Sequence, residues 1–272
     1  VHQTYYNNLF YKTNKAIKII NVWDLNHEIY SKSYNLQNNQ LPKKKSLDYS
    51  DHIICSSLKT QNDLIKYYKI DKERTSVLYQ GVPLFTKKIE NFKKAERPFL
   101  LYVGSRKRYK NFKNVLKALS INKKILNDFD LVCFGGEEFT KDENNLINEL
   151  KIEKTKIKHF LGDDKKLIEF YSTATAMIYP SKNEGFGFPP LEAMSFDCPV
   201  LTSNNEAINE AVGNAAVKFN AESPEEINHA IEKILYSNDL RKNLIELGRK
   251  RIKIFTWQNT ILNLNKIYKK FI

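Results

Sequence analysis

Along most of the chain, runs of four or five apolar residues alternate with longer stretches whose apolar positions recur every three or four residues. The short runs have the length and continuity of strands buried on both faces, and the longer stretches have the period of amphipathic helices. Their alternation predicts α/β architecture, with parallel strands joined by covering helices. In the first part, strands are expected at 16–22, 52–56 and 76–79. A basic helix is expected at 41–50, and a second helix at 57–68 with Ser56 or Ser57 as its N-cap. Lys and Glu crowd residues 86–98, which a proline closes, so this stretch is the expected linker.

The second series is more regular. It predicts strands at 99–103, 130–134, 156–160, 176–179, 199–202 and 216–219. Helices are expected at 111–126, through Leu146 and Leu150, and at 163–171, 189–195, 224–236 and 239–254, with Thr256-Trp257 opening a last helix. On the first of these, Phe112, Val115, Leu116 and Leu119 fall on one face. The series makes a complete doubly wound domain preceded by part of another. The expected divisions are 1–95, a partial N-terminal domain with linker; 96–255, a C-terminal Rossmann-like domain; and 256–272, a helix returning to the first domain. Trp257 is the expected anchor of that helix.

Composition narrows the class. The chain has 272 residues, 42 % hydrophobic and 12 % aromatic, which suits a folded protein with a substantial core. No apolar run approaches the ~18–20 residues a membrane span needs, and V-H-Q-T-Y-Y does not read as a signal peptide. Cys55, Cys133 and Cys198 are far apart, two of them in strand-like runs, and no Cys-x-x-Cys occurs. A structural zinc is therefore not expected, and a reduced, cytoplasmic protein is. The net charge of +13 suits nucleic acid, anionic lipid or phosphorylated small molecules alike. The basic residues lack a regular aromatic platform, so nucleic acid is not an expected partner. The run Lys43-Lys44-Lys45 is expected as a solvated helix face, with contact to an anionic membrane as the sharper reading.

Two segments carry candidate chemistry. Ser181 to Glu192, S-K-N-E-G-F-G-F-P-P-L-E, follows an expected strand and opens a helix at Pro189-Pro190. In an open α/β sheet such a loop faces the ligand crevice. Its glycines allow close backbone approach, the helix start favours negative charge, and Glu184 and Glu192 could accept bonds from sugar or ribose hydroxyls. Gly104 to Asn111, G-S-R-K-R-Y-K-N, also lies between a strand and a helix. Arg106, Arg108 and Lys110 could there neutralise a diphosphate without a metal ion.

At this point the chain resembles a known family, the retaining glycosyltransferases of GT-B architecture, family 4, or "group 1" transferases. E-G-F-G-F-P-P-L-E-A-M at Glu184 to Met194 matches the family's paired-glutamate motif. A-M-I-Y-P-S before it, P-V-L-T-S after it, E-A-V-G-N-A-A at Glu210 to Ala216 and L-L-Y-V-G-S-R-K-R-Y-K-N-F at Leu100 to Phe112 extend the match. S-D-H-I-I-C-S-S and V-L-Y-Q-G-V resemble the end of the family's N-terminal domain. The implied fold is α/β of GT-B type, two Rossmann-like domains with parallel sheets, the N-terminal, acceptor-side one incomplete. The C-terminal domain would bind the nucleotide-sugar donor.

The resemblance also implies roles. Gly104, Arg106 and Lys110 would hold the donor diphosphate, and Glu192 the ribose hydroxyls. Glu184 and the backbone of Gly185, Phe186 and Gly187 would position the sugar beside Phe188, while Phe160 and Leu161 would border the base. Glu184, Arg106 and Lys110 form the expected catalytic set, with no cofactor and no metal, a GDP- or UDP-sugar being the donor. A hexose would move with retention by front-face displacement, onto a surface polysaccharide or lipid-linked glycan. The Y-K-N-F form of the basic loop is similar to that of bacterial polysaccharide mannosyltransferases. The implied location is cytoplasmic, with peripheral contact at the inner face of the cell membrane.

The chain also departs from the family pattern. Trp23 stands in V-W-D-L where members commonly have a histidine, with His27 nearby, and His2 falls in a family-like stretch expected to line the cleft. Asp197 replaces a glycine at a turn, where Asp tolerates a left-handed backbone. Roughly 80–100 residues holding the family's first Gly-rich strand–loop–helix are expected to lie outside this chain. These departures keep open a second reading, a catalytically silent GT-B-like subunit that binds a partner or nucleotide.

Overall fold

In the computed structural model the short apolar runs become parallel strands in two separate sheets, and the chain divides into two units. Residues 1–6, 16–30, 40–82, 92 and 95–272 are described. The first unit comprises Val1–Gly81, Glu184–Phe186 and Phe255–Ile272; the second comprises Val82–Asn183 and Gly187–Ile254. The change of unit at Gly81 falls before the expected boundary at residue 95, and most of the expected linker lies outside the described residues.

In the first unit, β1 (His2–Gln3), β2 (Ile19–Val22), β3 (His52–Cys55) and β4 (Thr75–Val77) form a parallel sheet in that order. Between them lie α1 (Asn26–Ile29), α2 (Gln40–Tyr49) and α3 (Leu58–Tyr68). Alternate side chains leave the strands on opposite faces. Ile20, Val22, Ile53 and Cys55 meet Leu25, Leu47 and Leu64 on one face, and Ile19 and Ile54 meet Leu78 and Ile267 on the other. Burial of both faces is why these strands read as continuous apolar runs. Ser57 caps α3 by accepting from the Thr60 N–H.

The basic run on α2 is not a uniformly solvated face. Lys44 and Lys45 are exposed, but Lys43 is buried, with Nζ 2.9 Å from Glu28 Oε1. The Tyr68 hydroxyl donates to Glu28 Oε1 at 2.5 Å. A buried ammonium needs such a partner, because an unpaired charge away from water costs several kcal/mol. His2 does not present a free ring, since its two nitrogens lie 2.6 Å from the Tyr268 hydroxyl and 2.9 Å from Asn21 Oδ1.

In the second unit the elements are β5 (Phe99–Val103), α4 (Phe112–Ile121), α5 (Lys123–Asp128), β6 (Asp130–Phe134), α6 (Lys141–Glu149), β7 (Ile157–Phe160), α7 (Asp164–Thr173) and β8 (Ala176–Tyr179). They are followed by α8 (Phe188–Ser195), β9 (Val200–Ser203), α9 (Glu206–Val212), β10 (Ala216–Phe219), α10 (Pro224–Tyr236) and α11 (Asn238–Ile252). The expected single helix at 111–126 is two, because Asn122 turns extended and its side chain caps α5 through the Lys124 N–H. The strand order is β10-β9-β8-β5-β6-β7, all parallel. The chain therefore builds outward from β5 to β7, then returns to the other side of β5 to build β8, β9 and β10. This is the doubly wound order, and its switch point lies between β5 and β8.

Leu100 and Tyr102 on one face of the second sheet pack against α4 and α10 through Val115, Leu119, Ile227 and Ile231. On the other face, Phe99 meets Phe170 of α7 edge to face. Asp197 has the left-handed backbone expected of it, φ 59°, and forms a two-point ion pair with Arg249. The last helix, α12 (Trp257–Tyr268), belongs to the first unit, and Thr256 caps it. Trp257 is not its anchor, being 49 % exposed. Buried Phe255, Thr260 and Ile267 hold the helix instead. Among the described residues no helix is long and apolar enough to cross a membrane.

Candidate functional site

The two loops singled out in the sequence leave the carboxyl ends of β5 and β8, the adjacent strands at the switch point. In doubly wound sheets the ligand crevice usually lies at this switch point, beyond the carboxyl ends of the strands. The loop after β5 starts at Gly104, whose φ of +100° suits glycine. The Tyr102 hydroxyl sits under this loop, 2.9 Å from the Ser105 carbonyl and 3.1 Å from the Lys110 carbonyl. Asn111 ends the loop with a left-handed backbone, φ 62°. Its Nδ2 donates to the Pro180 carbonyl at 3.1 Å and to the Ala221 carbonyl at 2.7 Å. The Lys182 N–H donates to the Tyr109 carbonyl at 2.7 Å. These bonds tie the loop after β5 to the loop after β8.

Lys110 is placed by that tie. Its ammonium lies 5.3 Å from the Tyr109 ring centre and 5.5 Å from that of Tyr179, and 3.5 Å from the Tyr179 hydroxyl. Two aromatic faces hold a half-buried cation at the end of β8 by cation–π attraction. A cation so placed can meet a phosphate group entering the crevice.

Arg106, expected to hold the diphosphate, is buried and already has partners within the second unit. Its side chain is only 3 % exposed, and Nε donates to Glu143 Oε1 at 2.9 Å. The same guanidinium donates to the carbonyls of Gly135 and Glu137 and lies 4.6 Å from the Phe139 ring centre. Its planar fork is thereby engaged in joining the loop after β5 to the start of α6. Lys107 is exposed and pairs with Glu137 at 2.9 Å. Of the expected cationic pair, Arg106 pairs with Glu143 and Lys110 lies against Tyr179 at the end of β8.

On the other side of the crevice, α8 begins at Phe188 after Gly187. Pro189 and Pro190 carry no N–H, so Gly187 and Phe188 supply the amide donors at this helix start. Glu192 lies one turn further on, and the Tyr171 hydroxyl donates to its Oε2 at 3.1 Å. Burial pushes the Glu192 carboxyl above the usual carboxylate range; the Tyr171 bond pulls it down, and Asp164 pushes it up. A half-buried carboxylate held ready by one phenol has acceptor capacity left for hydroxyl groups. Phe160, at the end of β7, packs on Phe170, and Leu161 is exposed beyond it. Both lie two strands from the switch point, about 10 Å along the sheet.

The remaining expected residues, Glu184, Gly185 and Phe186, group with the first unit. The Gly185 carbonyl lies 3.0 Å from Ser56 Oγ and 3.2 Å from Thr60 Oγ1. A Cβ on Gly185 would stand 1.9 Å from the Trp23 carbonyl oxygen, so only glycine fits. Phe186 is buried, stacked 5.7 Å from Tyr79 and edge-on to Phe255 at 5.4 Å. Glu184 is half-buried beside them in sequence.

Also in the first unit, Tyr5, Tyr6, Trp23, Asp24, His27, Glu28, Pro42 and Lys43 line a pocket of about 240 Å³. The Trp23 indole N–H donates to the Thr4 carbonyl at 2.8 Å, so the indole is a wall of this pocket.

Sequence reasoning passed over Asn111, Tyr171, Tyr179 and the Ser56–Thr60 pair. Asn111 left a signal: an Asn after a basic loop tolerates a left-handed turn better than most residues. The tyrosines left none, since an aromatic in an apolar run reads as core until its hydroxyl partner is known. The three cysteines are buried and free, and burial pushes the Cys55 thiol up to about 12.

A sequence model of the family described as glycosyl transferases group 1 matches residues 85–251. The O-antigen chain mannosyltransferase RfbU of Salmonella typhimurium is 30 % identical over 195 residues, 70 % of this chain and 53 % of the relative. The chain spans about half the length of the curated relatives it matches, among them the O-antigen chain mannosyltransferase B of Escherichia coli, covered to 48 %. Among solved structures, that of WaaG, a glycosyltransferase involved in lipopolysaccharide biosynthesis, matches with a TM-score of 0.75 at 18 % identity, over 94 % of this chain and 78 % of WaaG. At that identity the likeness establishes the fold, which is of GT-B type with parallel sheets in two Rossmann-like units. The family match covers well over half of the sequence, and the chain belongs to the glycosyl transferases group 1.

Proposed function

We propose that this chain carries the donor site of a retaining, metal-independent hexosyltransferase. The donor would be a GDP- or UDP-sugar, GDP-mannose first among the candidates because the Salmonella relative is named a mannosyltransferase. The acceptor would be a growing surface polysaccharide or a lipid-linked glycan, which sets the reaction on the cytoplasmic side of an anionic membrane.

One observation carries this reading. Lys110, held between two tyrosine rings, and Glu192, held by Tyr171, stand on the two loop–helix connections that flank the switch point. The ammonium and the amides of Gly187 and Phe188 suit a diphosphate, and the carboxylate suits the ribose hydroxyls. In the proposed reaction the acceptor oxygen bonds to the anomeric carbon as the bond from that carbon to the phosphate oxygen breaks on the same face. The acceptor's proton passes to the departing phosphate. Charge developing on that phosphate would be met by Lys110 and the start of α8, so no protein nucleophile and no metal ion is required.

Calorimetric titration with GDP-mannose, UDP-glucose and UDP-N-acetylglucosamine tests the site, and product anomer analysis by NMR tests retention. Saturable binding of one donor, turnover unaffected by EDTA and an unchanged anomeric configuration are expected. No binding of any nucleotide sugar at millimolar concentration would remove the proposal. The catalytically silent reading gains weight from Arg106, whose guanidinium is engaged with Glu143, and from Trp23 in place of a histidine. It predicts donor binding without transfer or hydrolysis.

A further inference from the structure

The basic run on α2 offers little as a membrane face, because Lys43 is buried in an ion pair. A different surface of the first unit has the composition that run lacks. On α12, Trp257, Ile261 and Leu262 are 49, 55 and 59 % exposed, while Thr260 and Ile267 face inward. At 100° per residue, Trp257, Ile261 and Leu262 fall within an arc of about 140°. The helix continues through the turn Lys269–Phe271, and Lys266, Lys269 and Lys270 are all exposed. From Phe255 to Ile272 the sequence contains no Asp or Glu.

We propose that the outward face of α12 docks on an anionic lipid bilayer, with Trp257, Ile261 and Leu262 entering the headgroup–acyl boundary and the three lysines meeting lipid phosphates. An exposed Trp beside two large aliphatic residues is costly in water and suits a membrane interface, where an amphipathic ring finds both environments. The chemistry of the occupant follows from charge. A segment bearing three lysines and no acid attracts an anionic surface and repels a basic one such as the rest of this +13 chain. That charge opposes pairing of two copies through the same face. Partial insertion of three side chains gives reversible binding, as suits an interfacial helix. The docking surface is independent of whether the chain transfers sugar.

Flotation with phosphatidylcholine vesicles, with and without about 30 % phosphatidylglycerol, tests it on the whole chain at low and ~0.5 M salt. The expected result is binding only to the anionic vesicles, weakened by salt. Lys266→Gln/Lys269→Gln/Lys270→Gln and Ile261→Ser/Leu262→Ser should each lower it roughly tenfold. These side chains are exposed, so thermal melting should be unchanged. Trp257→Phe should keep binding yet abolish a vesicle-induced blue shift of tryptophan emission, leaving only the emission of Trp23. Absence of binding to anionic vesicles overturns the proposal, as does binding that both multiple variants retain. Self-association in sedimentation that Ile261→Ser/Leu262→Ser dissolves would assign the face to a second copy and overturn it too.

Discussion

The amide nitrogen of Asn111 lies 3.1 Å from the carbonyl oxygen of Pro180, joining the residue that ends the loop after β5 to the residue that follows β8. The same amide reaches the Ala221 carbonyl, so one side chain fixes three chain segments around the switch point. Asn111 carries two separate demands, a left-handed backbone and a donor amide. Asn111→Gly keeps the first and loses the second, and Asn111→Asp sets a carboxylate against two carbonyls. We expect Asn111→Gly to cost ~1–2 kcal/mol of stability and Asn111→Asp more. Both should lower kcat/KM by displacing Lys110. Melting curves and donor kinetics on the two variants check this, and wild-type behaviour of Asn111→Gly would show the backbone demand to dominate.

Lys110 and Arg106 should separate function from stability. Lys110→Ala removes a cation held at the crevice, and a loss of ~2–4 kcal/mol in donor binding or transition-state stabilisation is expected with little change in melting. Arg106→Ala leaves Glu143 and two backbone carbonyls without their donor, so a stability loss of ~2–3 kcal/mol is expected. Arg106→Lys should restore only part of it, because one ammonium cannot reproduce the fork. A stable Arg106→Ala protein with abolished donor binding would restore Arg106 to the diphosphate.

Glu192 gives a pH dependence with a definite sign. Its folded-state pKa is raised, chiefly by burial, so the charged form is disfavoured in the folded chain. The contribution of its protonated form to stability is complete below the unfolded pKa and is lost as pH rises through the folded one. Glu192→Gln should therefore raise the melting temperature at neutral pH by roughly 1–3 °C. The gain should vanish below about pH 4, where the wild-type carboxyl is protonated in both states. The same variant should bind donor more weakly, because one face of its amide donates where the carboxylate accepts. Tyr171→Phe should weaken donor binding about fivefold through the lost 3.1 Å bond.

Gly185 is the most restrictive position of its segment. With a Cβ 1.9 Å from the Trp23 oxygen and 2.8 Å from the Asp24 Cβ, Gly185→Ala cannot keep the observed packing. The Ser56 and Thr60 hydroxyls would lose the carbonyl they share. A fall in kcat of at least roughly tenfold is expected, with Ser56→Ala giving a smaller fall in the same direction. Steady-state kinetics at saturating donor measure both.

The linear order of residues was enough for the α/β class, the doubly wound second half and the placement of its two loops. Strand length, helix period and glycine position are local properties that survive without tertiary contact. Local properties also sufficed for the caps at Ser57 and Thr256 and for the left-handed turn at Asp197. Tertiary structure decided which charges are available. Lys43, Arg106 and Lys110 are equally basic as letters, yet Glu28 holds the first, Glu143 the second, and only the third rests between tyrosine rings at the switch point. Tertiary structure also drew Glu184–Phe186 into the first unit, because Phe186 finds Tyr79 and Phe255 there, and left Trp257 exposed where a buried anchor was expected. The reason is the same throughout: a charge or an aromatic ring is placed by partners distant in the chain, and the solvation cost of leaving it without them appears only once the chain has folded.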